Sequence, residues 1–258
     1  MLKGASGRSL FQEAVLRVAD QTLFAPPLVV ANVNHRELVR EQLSEIHCDN
    51  AQVMFEPVAR NTAVAITLAA LVLPPQSPIL VMPSDHVIEQ PELLMQAVNA
   101  AQAALQAGYI LTFAIPPREA NTAYGYIEIG EGSDAWPGIS HVRRFTEKPD
   151  AATATAFLAA GNYGWNSGIF LMCAHTVIEE MEAYAPEIIS SCRAAISASS
   201  RAGKYITVDE AALTAAPSMP FDRAVMERTK RAMVMALDME WSDMGSFAAI
   251  AQSTVVKT

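Results

Sequence analysis

One aspartate sits where a strand exit would aim a carboxylate at a ligand, and a second is a candidate to join it. Asp85 directly follows a short apolar run, in Met82-Pro83-Ser84-Asp85-His86. In open α/β sheets ligands bind beyond the carboxyl ends of the strands, and carboxylate oxygens there suit a hard cation such as magnesium. A helix N-cap or a turn would use the same aspartate equally well. Asp243, in Trp241-Ser242-Asp243-Met244-Gly245-Ser246, carries the same two readings, the second as the cap of a short helix from Gly245. About 160 residues separate the two, so only folding can bring them together. Glu147-Lys148-Pro149 ends a strand-like segment; Glu147 can accept hydrogen bonds from sugar hydroxyls and Lys148 can meet a phosphate, unless the pair is simply a solvated strand end. Trp165-Asn166-Ser167-Gly168 and Tyr124-Gly125-Tyr126 each place a glycine where a polar ligand or a sugar ring could approach the backbone, or where a turn or bulge needs one. His86 reads as structural. No Ser/His/Asp grouping and no Cys/His cluster with zinc spacing stands out.

The elements that must position these residues show in the alternation of two apolar periods. Leu28–Ala31, Gln52–Phe55, Ile79–Met82 and Tyr109–Ile115 read as buried strands. Between them lie helix-period segments: one on Val39, Leu43 and Ile46, one starting at Asn61 or Thr62 as N-cap, and one on Leu94, Val98, Ala101 and Leu105 closed by Gly108. Strands alternating with helices over about 115 residues predict an α/β, Rossmann-like fold with a mostly parallel sheet flanked by helices. From Tyr124 the rhythm changes. Tyr124–Ile129, Ile139–Thr146 and Gly168–Cys173 read as strands, helices start near Ala151 and His175, and helix-rich sequence runs to about residue 216. No linker or repeat interrupts the 258 residues, so one domain is expected, with a nucleotide-binding half at 1–118 and a sugar-phosphate half at 119–258.

Composition excludes several partners. The net charge is -9 and the 18 basic residues are scattered, which leaves no cationic face for nucleic acid. The longest strongly apolar run, Ala63–Leu73, is too short to span a bilayer. Three well-separated cysteines, Cys48, Cys173 and Cys192, fit reduced, mostly buried thiols in a cytoplasmic protein.

Seven blocks, taken in order, resemble the mannose-1-phosphate guanylyltransferase family. They are Glu56-Pro57-Val58-Ala59-Arg60-Asn61-Thr62-Ala63, Pro83-Ser84-Asp85-His86-Val87-Ile88, Thr122-Ala123-Tyr124-Gly125-Tyr126-Ile127-Glu128, Phe145-Thr146-Glu147-Lys148-Pro149-Asp150, Trp165-Asn166-Ser167-Gly168-Ile169-Phe170, Phe221-Asp222-Arg223-Ala224-Val225-Met226-Glu227 and Trp241-Ser242-Asp243-Met244-Gly245-Ser246. The resemblance implies a nucleotidyltransferase fold that makes GDP-mannose and pyrophosphate from GTP and mannose 1-phosphate. It implies Mg2+ held by Asp85 and Asp243, with Lys148 completing the catalytic set. Mannose would be contacted by Gly125, Glu147 and Asn166 and its phosphate by Lys148, while Arg60, Asn61, Ser84 and Asp85 would lie at the nucleotide. A homodimer is the assembly it allows.

The resemblance also implies an opening strand, a Gly-Gly-x-Gly-Thr-Arg-Leu signature and a Pro-Lys pair. Here Gly4-Ala5-Ser6-Gly7 is at most a degenerate form of that loop, and Arg8-Ser9-Leu10-Phe11-Gln12-Glu13 matches the family segment downstream of it. The expectation is a chain without the first strand, the loop or the Pro-Lys pair. Ladder groups would then stand unpaired on neighbouring strands, and the chain made alone would show little or no guanylyltransferase activity. The isomerase or cupin-like half of bifunctional relatives is not expected either. Ala123 and Val64 replace the family's usual Gly and Pro without removing a reactive side chain. Three other readings stay open: a non-catalytic sugar-phosphate or nucleotide-binding relative with a regulatory role, a nucleotide-sugar-dependent glycosyltransferase of similar fold, and a truncated or mis-started copy of an ordinary enzyme.

Overall fold

A buried strand with no polar face needs neighbours on both sides, and Ile110–Ile115, buried at every position, has them. The computed structural model describes residues 6–243. In chain order, the first elements are α1 (Leu10–Arg17), β1 (Leu28–Asn32), α2 (Arg36–Glu45), β2 (Gln52–Glu56), α3 (Asn61–Val72), β3 (Pro78–Val81) and β4 (Val87–Ile88). Next come α4 (Pro91–Ala100), α5 (Gln102–Gln106), β5 (Ile110–Ile115), β6 (Tyr126–Gly132), β7 (Ser140–Thr146), α6 (Ala151–Ala160) and β8 (Tyr163–Cys173). The remainder is α7 (Ala174–Tyr184), α8 (Pro186–Ser197), β9 (Ser200–Ala202), β10 (Tyr205–Thr207), α9 (Glu210–Thr214), a π-helical turn at Asp222–Met226, β11 (Ala232–Ala236) and β12 (Trp241–Ser242). Gly4, Ala5 and the short helix expected from Gly245 lie outside the described residues. Among those described, no helix is long and apolar enough to cross a membrane.

Local chemistry explains the helix ends. The Asp150 carboxylate accepts from the Thr153 amide at 2.8 Å to cap α6, and Gly161 ends it at φ 74°. Pro91 and Pro186 open α4 and α8, where a missing amide hydrogen costs nothing. Two expected helix boundaries change. Arg60, not Asn61 or Thr62, is the N-cap of α3, and Asn61 begins the helix with φ 68°, its own side chain accepting from the Thr62 amide at 2.8 Å. The single helix expected before Gly108 is broken at Ala101 into α4 and α5.

The chain packs as two compact units. One comprises residues 6–11, Pro78–Cys173 and 229–243; the other comprises Gln12–Ser77 and Ala174–Arg228. Residues before and after position 118 contribute to both. The second unit holds a four-stranded sheet in the order β1-β2-β10-β9, with β1 and β10 parallel to β2. The first holds a six-stranded sheet in the order β3-β8-β5-β11-β7-β6 and a two-stranded ribbon of β4 and β12. The α/β class with mixed sheets flanked by helices is as expected, but the balance of directions is not. Among the described residues of the larger sheet, β5 and β11 are the only neighbours paired parallel, and β8 returns from the β6-β7-α6 excursion antiparallel to both β3 and β5. A short apolar run marks a buried strand but carries no direction, which is why sequence alone misjudged the balance. The hairpin β9-β10 and strand β11 were likewise not anticipated. Among the described residues, β1 and β3 are edge strands of their sheets.

Gly164 shows how closely β8 lies on β5. A Cβ there would stand 2.7 Å from the Ala114 Cβ and 3.4 Å from the Ile115 carbonyl oxygen. Neither neighbour has a flexible end to swing aside. Gly164→Ala is therefore expected to lower stability by about 1–3 kcal/mol in urea denaturation; an unchanged midpoint would show that the strands part freely.

Candidate active site

Of the nine residues singled out from sequence, seven fall in the first unit. Ser84 and Asp85 occupy the turn between β3 and β4, Gly125 immediately precedes β6, and Glu147 and Lys148 follow β7. Asn166 lies within β8 and Asp243 follows β12. Arg60 and Asn61 stand in the other unit, between β2 and α3, where the Arg60 guanidinium donates to the Thr214 carbonyl at 2.6 Å.

Three strands meet at Gly125. The Asn166 amide donates to the Gly125 carbonyl at 2.8 Å, and Tyr126 is in register with both Thr146 on β7 and Trp165 on β8. A Cβ on Gly125 would come within 2.8 Å of Glu147 Oε2 and 3.4 Å of the Asn166 Cβ, so glycine is what lets the Glu147 carboxylate lie here. Asn166 Oδ1 accepts from the Gly168 amide at 3.1 Å and from Thr112 Oγ1 at 3.4 Å, which fixes the side-chain amide. Thr146 Oγ1 and Trp165 Nε1 are buried beside this point without a protein partner. Lys148 adopts φ 43°, although it precedes Pro149 and carries a side chain. Both facts make that backbone costly, and such strain gathers at functional sites. The Lys148 ammonium is mostly exposed, 3.8 Å from Glu147 Oε1.

The two aspartates come from the ribbon. β4 and β12 pair antiparallel, Ser242 with Val87 and Trp241 with Ile88. Asp243 directly follows β12, and Asp85 lies two residues before its partner β4. The segment before β12 is tied at several points. The Arg118 guanidinium meets Glu240 at 2.6 Å, the Glu240 amide donates to Gln90 Oε1 at 2.7 Å, and the Glu89 amide donates to the Glu240 carbonyl at 3.1 Å.

An aromatic row runs from the ribbon to the strands around Gly125. Tyr124 packs edge-on against Trp165 at 5.0 Å and against Trp241 at 5.1 Å, and Trp241 meets His86 at 5.4 Å. Burial pushes the Tyr124 phenol up, and the neighbouring Asp243 carboxylate adds to the effect. At the other end Gly168, at φ 66°, lies against His86 and Pro83: a Cβ would stand 3.6 Å from each. Sequence reasoning missed this row, although Tyr124, Trp165 and His86 adjoin residues it chose and Trp241 lies two before Asp243. Nothing in their spacing along the chain announces mutual contact.

Glu56 was also passed over as a site residue. It ends β2 in the second unit, and its buried Oε1 has no protein partner. Burial pushes this carboxyl up to about 7. The folded protein therefore keeps the proton through the range above 4.5 in which the unfolded chain loses it. Stability from this group is full below about pH 4.5 and is lost as pH rises to about 7, a difference on the order of 3 kcal/mol. Urea denaturation at pH 5 and pH 8 should show that loss in the native chain and not in Glu56→Gln. Equal pH slopes for the two would disprove it. The same charge, together with burial as the larger cause, holds the nearby Cys192 thiol up at about 12.

Residues 1–256 match the Nucleotidyl transferase family model. The chain belongs to this family. Among its relatives, the mannose-1-phosphate guanylyltransferase of Escherichia coli K12 is 41% identical over 231 residues, covering 87% of this chain and 48% of that protein. The xanthan biosynthesis protein XanB of Xanthomonas campestris is 40% identical over 245 residues, covering 94% of this chain and 51% of that one. A Helicobacter pylori crystal structure named as mannose-6-phosphate isomerase superposes with a TM-score of 0.83 at 30% identity, covering 93% of each chain. This nucleotidyltransferase chain thus spans about half the length of the curated relatives it matches.

The donor set suits the ion that the resemblance implies. Asp85 is 66% exposed, and among the described residues no group of three or more His, Cys, Asp or Glu side chains forms a closed metal cage. Magnesium characteristically takes one or two carboxylates and completes its shell with water and substrate phosphate. Two oxygen-bearing side chains at the ends of β4 and β12 fit that habit.

Proposed function

We propose that this chain carries the site that transfers GMP from GTP to mannose 1-phosphate, giving GDP-mannose and pyrophosphate. The observation that carries the reading is a convergence within one unit. The aspartate-bearing ribbon and the Gly125-Glu147-Asn166 pocket are joined by Tyr124, in a chain about 40% identical to guanylyltransferases over most of its length.

An oxygen of the sugar phosphate attacks the α-phosphorus of GTP, the bond to the β-phosphate breaks, and pyrophosphate leaves with that electron pair. The attacking oxygen is already anionic at neutral pH, so no general base is required. What must be overcome is the repulsion of two polyanions and the charge that grows on the phosphates. Glu147 accepts from mannose hydroxyls, Gly125 leaves room for the ring, and the fixed Asn166 amide orients it. Lys148 meets the sugar phosphate. Ser84, in the same unit as the aspartates, serves the nucleotide. Asp85 and Asp243 would hold the magnesium ion, which supplies Lewis-acid neutralisation of the phosphates when bound.

Calorimetry with mannose 1-phosphate and with GDP-mannose, each with magnesium, tests the reading. Saturable binding of both is expected, with glucose 1-phosphate and mannose 6-phosphate at least about tenfold weaker, the scale of one lost polar contact to a charged group. Preferential binding of mannose 6-phosphate would favour an isomerase site and sink the proposal.

A further inference from the structure

We infer that His86 and Trp241 form a hydrogen-bonded brace that sets the Asp85 carboxylate relative to Asp243, making His86 a positioning residue for the cation held there. The inference rests on the reading above, in which the two aspartates share a divalent ion.

An indole N–H can only donate. Trp241 Nε1 reaches His86 Nδ1 at 3.2 Å, with the rings edge-on at 84°. His86 Nδ1 must therefore accept, and the neutral imidazole carries its hydrogen on Nε2. That nitrogen faces Asp85 Oδ1 at 4.0 Å, an orienting contact rather than a direct hydrogen bond. The two partners differ in freedom. The His86 side chain is 12% exposed and seated against the Gly168 backbone, whereas the Asp85 carboxylate is 66% exposed. A fixed ring thus aims an N–H at a carboxylate that would otherwise sample several rotamers.

The backbone needs such help. β4 and β12 form a ribbon of two paired residues on each side, and an isolated ribbon of that size is marginal in water. A slip of one residue would exchange the faces of Trp241 and Ser242 and so displace Asp243, which follows them. Arg118, Gln90 and Glu89 secure the Glu240 end. The other end, where Asp243 stands, relies on Trp241 against His86 and on Tyr124.

The test is Mn2+ binding to the full chain, measured by the free-ion signal in electron paramagnetic resonance, which needs no turnover. Trp241→Phe keeps the ring packing on Tyr124 and removes only the donor. It should weaken Mn2+ binding about tenfold, at the lower end of losses seen when a ligand's supporting hydrogen bond is removed. Metal-free affinity for mannose 1-phosphate should stay within about twofold, because the Gly125 pocket keeps its own hydrogen bonds. A paired substitution separates positioning from mere packing. Gln places its amide N–H near the His Nε2 position, whereas Asn reproduces only the Nδ1 side. His86→Gln should hold Mn2+ better than His86→Asn. Unchanged Mn2+ binding in Trp241→Phe, or equal binding in the Gln and Asn variants, overturns the brace while leaving the proposed reaction standing. Absence of Mn2+ binding in the native chain overturns the shared-ion reading, and the brace with it.

Discussion

Asp243→Asn is expected to weaken Mn2+ binding about 10- to 100-fold relative to the unmodified chain, read from the free-ion signal in electron paramagnetic resonance. Asparagine keeps the shape of the side chain and removes its charge, so the loss reads the electrostatic grip on the ion rather than packing. A lost contact to a charged group is worth roughly 1.5–3 kcal/mol, which sets the scale. Asp85→Asn should cost a similar factor. The informative variant is the double one. Two ligands to a single ion act as a unit, so removing both should cost little more than removing either. Multiplying losses would mean that the carboxylates work independently, and the shared site would have to be abandoned.

Gly125→Ala should separate binding from stability. The new methyl group would meet Glu147 Oε2 at 2.8 Å, and that oxygen is the far end of a flexible side chain. Moving it costs the fold little, so urea stability should change by less than about 1 kcal/mol. The displaced carboxylate, however, no longer meets the mannose hydroxyls. Hydrogen bonds to charged groups contribute roughly 1.5–3 kcal/mol, so affinity for mannose 1-phosphate should fall about 10- to 100-fold by calorimetry. Gly164→Ala makes the opposite case, since there the methyl group meets the fixed Ala114 Cβ at 2.7 Å. Should Gly125→Ala lose stability and keep affinity, Glu147 would not be a sugar ligand.

How far these features could be read from the chain depended on their range. β5 and α3 were legible because unbroken burial writes itself into composition: Ile110–Ile115 has no polar face, and Asn61–Val72 is apolar nearly all round. The direction of β8 was not legible, since it depends on how three intervening elements return the chain. The break at Ala101 escaped for a different reason: its neighbours keep the helical period, and the interruption is made by packing. Asp85, Glu147 and Asn166 stood out singly as polar residues at strand ends, each with an equally good bland explanation. The ordered blocks of a family, and then the pairing of β4 with β12, gave them a common purpose. Glu56 was hidden by its ordinariness, because a glutamate ending a strand gives no sign that its oxygen will be buried alone.

The aromatic row leaves this protein with an optical reporter of its own. Of three tryptophans, Trp136 packs on Tyr109, while Trp165 and Trp241 flank Tyr124 between the sugar pocket and the aspartates. On the proposed function, two of the three indole emitters sit where an arriving sugar phosphate or a paramagnetic ion would alter their surroundings, and the third would supply a steady background. Occupancy can be followed from emission intensity alone, with no dye attached and no coupled enzyme in the cuvette.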